Sequence, residues 1–115
     1  MAEFRLQRIQ HLLREAISSM IMTDEIKDPR VSTFVSITDV KVSKDLSFAK
    51  IYVSSFQSDK KLNESVEALN HASGFIQGRL GRRLRLRVTP HLVFFPDKSI
   101  EQAMALTHKL EGLSS

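Results

Sequence analysis

The spacing of apolar residues in this chain switches repeatedly between the period of a helix and that of a strand, and that alternation restricts what it can fold into. Ile9, Leu12, Leu13, Ala16, Ile17, Met20 and Ile21 recur three and four residues apart, which places them on one stripe of a helix. Arg5, Gln7, Arg8, His11, Arg14, Glu15 and Ser18 take the remaining surface. The stripe fades at Thr23-Asp24, and Asp28-Pro29 biases the backbone away from helix. From Phe34 to Val42 the residues are β-branched and the period falls to two, but with a slip of phase. Val35 and Ile37 share one parity, Val40 and Val42 the other, so a bulge near Thr38-Asp39 is needed if all four face a core. After the polar turn Ser43-Lys44-Asp45, a second strand is predicted over Leu46 to Ser54, and the short connection makes the pair an antiparallel hairpin. Leu46, Phe48 and Tyr52 add apolar residues on its other parity, as in a central or partly covered strand.

Helical spacing returns after a polar linker at Gln57 to Lys61, where Ser58 or Asp59 can cap the next helix. Leu62, Val66 and Leu69 set a stripe that Ile76, Leu80 and Leu84 continue, interrupted by Ala72-Ser73-Gly74. Glycine inside a helix costs about 1 kcal/mol relative to alanine, so Gly74, Gly78 and Gly81 argue for two helices with a break at Ser73-Gly74. Leu92 to Phe95 is a short apolar strand stopped by Pro96. Ser99 to Gln102 matches a capping box opening a last helix with Ile100, Ala103, Met104, Leu106 and Leu110. The reading is one α+β domain over residues 1–115, ordered helix, strand, strand, helix, helix, strand, helix, with a three-stranded sheet backed by helices.

Charge is distributed unevenly over this frame. No acidic residue lies between Glu67 and Asp97, and the same stretch holds Arg79, Arg82, Arg83, Arg85 and Arg87, five of the nine arginines. Elsewhere twelve basic residues face thirteen acidic ones, so the net charge of +4 is local to this segment. Guanidinium groups bind phosphate bidentately, and glycines beside them remove side chains from the path of a polyanion. Nucleic acid is the expected partner, through Ser73, Gly74, Gly78, Arg79, Arg82, Arg83, Arg85 and Arg87. In an extended segment Arg85 and Arg87 face the same side. Arg5 and Arg8, with Arg14, form a second candidate surface, although helix patterning alone predicts a polar outer face. Close packing of the second helix pair on the sheet is the competing explanation for Gly74 and Gly78.

Other chemistries find little support. The chain has no cysteine, which excludes disulfides and thiolate chemistry. The four histidines lack metal-ligand spacing, and there is no nucleophile elbow or Walker-type loop, so no metal, cofactor or enzymatic activity is expected. An acidic protein partner is a rival reading of the basic patch, and a small ribonuclease using His71 or His91 is another. Asp39 and Asp45 read as turn formers. Phe34, Phe48, Tyr52, Phe56, Phe75, Phe94 and Phe95 lie mostly at core parity, which predicts no aromatic platform for stacking bases. Apolar runs are too short for a bilayer, and no apolar signal core opens the sequence, so a cytoplasmic protein is expected; it is read as a monomer.

The residues also resemble a known family. Lys27-Asp28-Pro29-Arg30, Val35 to Val40, Val42 to Leu46, Ala49 to Ser54, Ala72 to Ile76, Leu84 to Pro90 and Phe95 to Ser99 occur in the order found in ribosome-binding factor A. The resemblance spans roughly Arg5 to Leu110. It implies a type II KH-like domain in which an Ala-x-Gly kink, here Ala72-Ser73-Gly74, stands in for the Gly-x-x-G loop. It further implies a non-enzymatic assembly factor that binds the free, immature small (30S) ribosomal subunit and supports late maturation and processing of its RNA. The family often carries arginine at the position of Gln77 and glutamate at that of His91.

Overall fold

A computed structural model describes residues 2–97, and the expected helix with its Ser99 capping box lies outside them. The elements are α1 (Ala2–Met22), β1 (Val35–Val42), β2 (Phe48–Ser55), α2 (Asp59–His71), α3 (Ser73–Leu84) and β3 (His91–Pro96). The sheet runs β1-β2-β3, with β1 and β2 antiparallel and β2 and β3 parallel. The α+β, KH-like architecture agrees with the pattern of periods in the sequence.

Helix α1 ends where its stripe fades. Asp24 takes a left-handed φ of 57°, and the amides of Asp24 and Glu25 return to the carbonyls of Ile21 and Met20. In β1 the register with β2 shifts between Ile37 and Asp39, so Thr38 is the extra residue of a bulge. That single insertion lets Val35, Ile37, Val40 and Val42 all be buried. The hairpin turn is longer than predicted. Leu46 belongs to it rather than to β2, at a left-handed φ of 62° and half-buried against the core. Asp45 does act as a turn former, accepting from the Ser43 and Ser47 hydroxyls and from the Ser47 amide.

Strand β3 is also longer than predicted. It includes His91 and Pro96, and the Asp97 amide still donates to Val53 at 2.7 Å. Proline does not stop it because β3 is an edge strand, where a missing donor breaks no ladder. Its free edge is held by one side chain. The Asn70 amide donates to the Phe94 carbonyl at 3.0 Å and accepts from the Phe94 amide at 2.8 Å.

Inward residues of all three strands meet one layer of helices. α1 packs on β1, α2 on β2 and β3, and α3 on β3 and α1. Leu13, Ile17 and Met20 of α1, Leu69 of α2, Ile76 and Leu80 of α3 and Ile51 and Val53 of β2 are fully buried. The aromatic residues depart from expectation. Phe34, Phe48, Phe56, Phe75 and Phe95 are exposed and Tyr52 half-buried, leaving Phe94 the one core aromatic of the seven. In the strands the reason is parity: Phe48, Tyr52 and Phe95 occupy the face opposite Ala49, Ile51 and Phe94. No helix among the described residues is long and apolar enough to cross a membrane.

Candidate nucleic-acid interface

The helix break falls at Ala72 (φ −89°, ψ 6°), one residue before the predicted position. Ser58 caps α2 by accepting the Lys61 amide, whereas α3 begins at Ser73 with no side-chain cap and no acid in its first turn. Its opening N–H groups are therefore left for solvent or an anion. Gly74 sits inside α3 and no described glycine has a positive φ, so the bend does not require it. A Cβ built at Gly74 or Gly78 meets nothing within 4 Å. Close packing on the sheet therefore does not explain these two glycines. Gly81 differs, since a Cβ there would come 2.8 Å from the Thr89 hydroxyl. Helix α3 tolerates three glycines, at about 1 kcal/mol each, because burying Ile76 and Leu80 contributes about 1.5–3 kcal/mol apiece.

Gly74, Gly78 and Gly81 open onto a shallow cleft of about 480 Å³, completed by Gln77, Arg82 and Thr89. Gln77 donates to the Thr89 carbonyl at 3.0 Å, which ties the segment before β3 to α3. On the other side of the kink a groove of about 450 Å³ runs between Lys27, Asp28 and Pro29 and His71, Ala72 and Phe75. Two motifs separated in the sequence thus flank the same bend. The first is rigid: Arg30 makes paired bonds to Asp28 at 2.9 and 3.2 Å, and the fully buried Ser65 hydroxyl donates to the Arg30 carbonyl. The Arg30 guanidinium and amide hold the Asp28 carboxyl below its ordinary range.

The five arginines divide into two groups. Arg83 donates to Glu25 at 2.6 Å, and Arg79 lies 3.8 Å from the same carboxylate while its guanidinium rests 5.1 Å from the Phe75 ring centroid. The hydrogen bond from Arg83, aided by the Thr23 hydroxyl, keeps the Glu25 carboxyl below the usual carboxylate range against a smaller opposing effect of burial. The segment without acids in the sequence therefore has one in space. Among the described residues, no ion pair engages Arg82, Arg85 or Arg87. Arg85 is not in an extended segment. It is the left-handed C-cap of α3 (φ 52°, ψ 43°), its amide bonded to Gly81, so the expected shared facing with Arg87 does not follow from strand geometry. A non-glycine residue in that conformation costs about 1–2 kcal/mol.

Arg5 joins this surface from the other end of the chain. It lines a cleft of about 200 Å³ with Ile9, Leu46, Leu86, Arg87 and Val88. Arg8 is exposed on α1, and no described contact links it to the cleft. Ser73 is half-buried at the start of α3. Thus the structure collects Gly74, Gly78 and Arg82 at one cleft and Arg5 with Arg87 at another. Glu25 and Phe75 contact these arginines and Gln77 lines the first cleft, and neither Glu25 nor Phe75 was read from the sequence as part of the interface. Glu25 lies 58 residues from Arg83, and no local pattern links two such positions.

Comparison with known proteins agrees with the fold. The family model of ribosome-binding factor A matches residues 5–110. A ribosome-binding factor A of Treponema denticola is 48% identical over 98% of this chain and 86% of its own length. One from Clostridium botulinum is 45% identical over 98% of this chain and 93% of its own. The crystal structure of ribosome-binding factor A from Thermus thermophilus superposes with a TM-score of 0.66 at 30% identity, covering 79% of this chain and 94% of that one. A Thermus thermophilus ribosome-binding factor A fitted into the electron-microscopy map of its 30S complex has a TM-score of 0.62, also at 30% identity, covering 76% and 89%.

Proposed function

The chain belongs to the ribosome-binding factor A family, and on that premise we propose that it binds the free, immature 30S subunit and supports late maturation and processing of its RNA. It acts as a single RNA-binding domain, as a monomer and without catalysis. A Thermus relative is described in complex with the 30S particle, which supports the choice of partner. The observation that carries the site is the cleft at Gly74 and Gly78. Two helical glycines that neither the bend nor the packing requires leave α3 bare beside Arg82. A phosphate backbone can approach there to contact distance. Arg85 and Arg87 beyond the end of α3, with Arg5 across the second cleft, continue the positive surface.

Such contacts position RNA without reading bases. Each phosphate neutralised adds about −0.7 to −0.9 to the slope of log K against log salt. Arg5, Arg82, Arg85 and Arg87 together therefore set a slope of about −3 to −3.5. The test is co-sedimentation of the purified protein with free small subunits, assembled ribosomes and polysomes. Association with free small subunits alone is expected, and replacing Arg82, Arg85 and Arg87 by alanine reduces it sharply. Undiminished association of a folded triple variant refutes the site. Cells depleted of the protein accumulate unprocessed small-subunit RNA. Normal processing in such cells removes the maturation role while leaving the binding role intact.

A further inference from the structure

The face of the sheet turned away from the helices carries rings and cations instead of a polar coat. Phe48 and His91 are cross-strand partners with ring centroids 5.8 Å apart, and Tyr52 and Phe95 repeat the arrangement at 5.8 Å with planes inclined 29°. Phe48 is 53% exposed and Phe95 37%. Four residues along β2 separate the two pairs by about 13 Å. Lys50 projects between them on the same face, and Lys41 on β1 places its ammonium 5.6 Å from the Tyr52 ring. Two acids border the rings: Asp39, opposite Tyr52 in β1, whose carboxylate accepts the Val40 amide, and Asp97, two residues beyond Phe95, whose carboxylate accepts the Thr38 hydroxyl at 2.6 Å.

We propose that this outer sheet face is a second RNA surface, which stacks unpaired bases on the Phe48–His91 and Tyr52–Phe95 pairs while Lys41 and Lys50 meet the phosphates. The occupant follows from the combination of features. Exposed rings offer π-faces that any base can use, and Lys41 and Lys50, which stand among the rings, are placed to meet the phosphates of a strand stacked there. Duplex RNA cannot use such a face, because its bases are stacked on each other and its shape is read through backbone contacts. Hence the arginine surface and the sheet face take different parts of an RNA: structured helices on the first, a single strand on the second. This goes beyond the reading of the arginine cleft and does not depend on it.

The chain has one tyrosine and no tryptophan, so its intrinsic emission reports on Tyr52 alone. The full-length protein is titrated with an unstructured RNA of about 12 nucleotides and with a stable RNA hairpin, at fixed salt. The single strand is expected to quench Tyr52 emission and the hairpin to leave it nearly unchanged. The paired substitutions Phe48→Ala and Phe95→Ala, checked for an unaltered melting transition, weaken the single strand at least tenfold and leave the hairpin untouched. Replacing Arg82 and Arg87 by alanine has the converse effect. Three results overturn the proposal: single-strand binding without quenching, equal loss of both RNAs in the ring variant, or Tyr52 emission in the free protein that acrylamide cannot reach. The last means that residues 98–115 of the chain or a second copy covers the face.

Discussion

Single residues decide how much of the positive surface is available, and Glu25 is the most consequential of them. It faces Arg83 at 2.6 Å and Arg79 at 3.8 Å, so a phosphate must compete with a carboxylate already in place. Glu25→Gln removes that competitor. Binding to small-subunit RNA is expected to tighten several-fold, and the salt slope to steepen by about one, as one more phosphate contact forms. Filter binding across a salt series measures both, and weaker binding shows instead that Glu25 holds the two arginines in their working positions. Gly78 gives a prediction of opposite sign for stability and binding. A methyl group there meets open space, so Gly78→Ala stabilises α3 by about 0.5–1 kcal/mol while weakening association with the subunit. Thermal melting and co-sedimentation of the same variant check the two halves, and a variant with unchanged association excludes close approach at this position.

At the scale of elements, the hardest device to foresee is the treatment of the sheet edge. Among the described residues β3 pairs only with β2, and an unpaired edge invites pairing with another chain. Asn70 occupies that edge by bonding both polar groups of Phe94. Asn70→Ala leaves those two groups to water, and about 1–2 kcal/mol of stability is lost, measurable as a lowered urea midpoint. An unchanged midpoint would mean that solvent replaces the amide fully. The bulge at Thr38, by contrast, was visible in the sequence, because the change of parity between Ile37 and Val40 has few other solutions. The turn holding Leu46 was not. Leucine at φ 62° is a conformation that local preference opposes, and it is adopted because the side chain reaches the core.

Across the whole molecule, several carboxylates titrate below their ordinary range, and this sets the response to acid. Arg83 depresses Glu25, Arg30 depresses Asp28, and the Ser47 and Ser43 hydroxyls depress Asp45. A carboxyl with a lowered folded-state pKa contributes stability that is complete above its unfolded value and is lost as pH falls through the folded one. Stability should therefore be flat near neutrality with respect to these groups and decline below the ordinary carboxylate range. Urea midpoints measured down the pH scale check this, and Asp28→Asn should flatten part of the decline. Glu25 and Asp28 are only half-buried and Asp45 is exposed, so solvent screening keeps each effect small. The loop from Asp28 to Ser32 is nonetheless anchored to α2 through the buried Ser65, which couples its acid sensitivity to the groove beside the kink.

The order of the described elements, the stripe of α1, the bulge, the break between α2 and α3 and the arginine cluster were all legible in the sequence, since each is a local pattern of period, turn chemistry or charge. So was the family, through motifs in order. The pairing of Glu25 with Arg83, the meeting of Arg5 with Arg87, the parallel alignment of β3 and the outward aim of Phe48 and Phe95 were not. Each depends on which distant segments the core brings together, and on which parity of a strand the helices cover. Period reveals that a strand has two faces. Only the packing of three helices onto one of them decided which would be left to solvent, and hence where the rings lie.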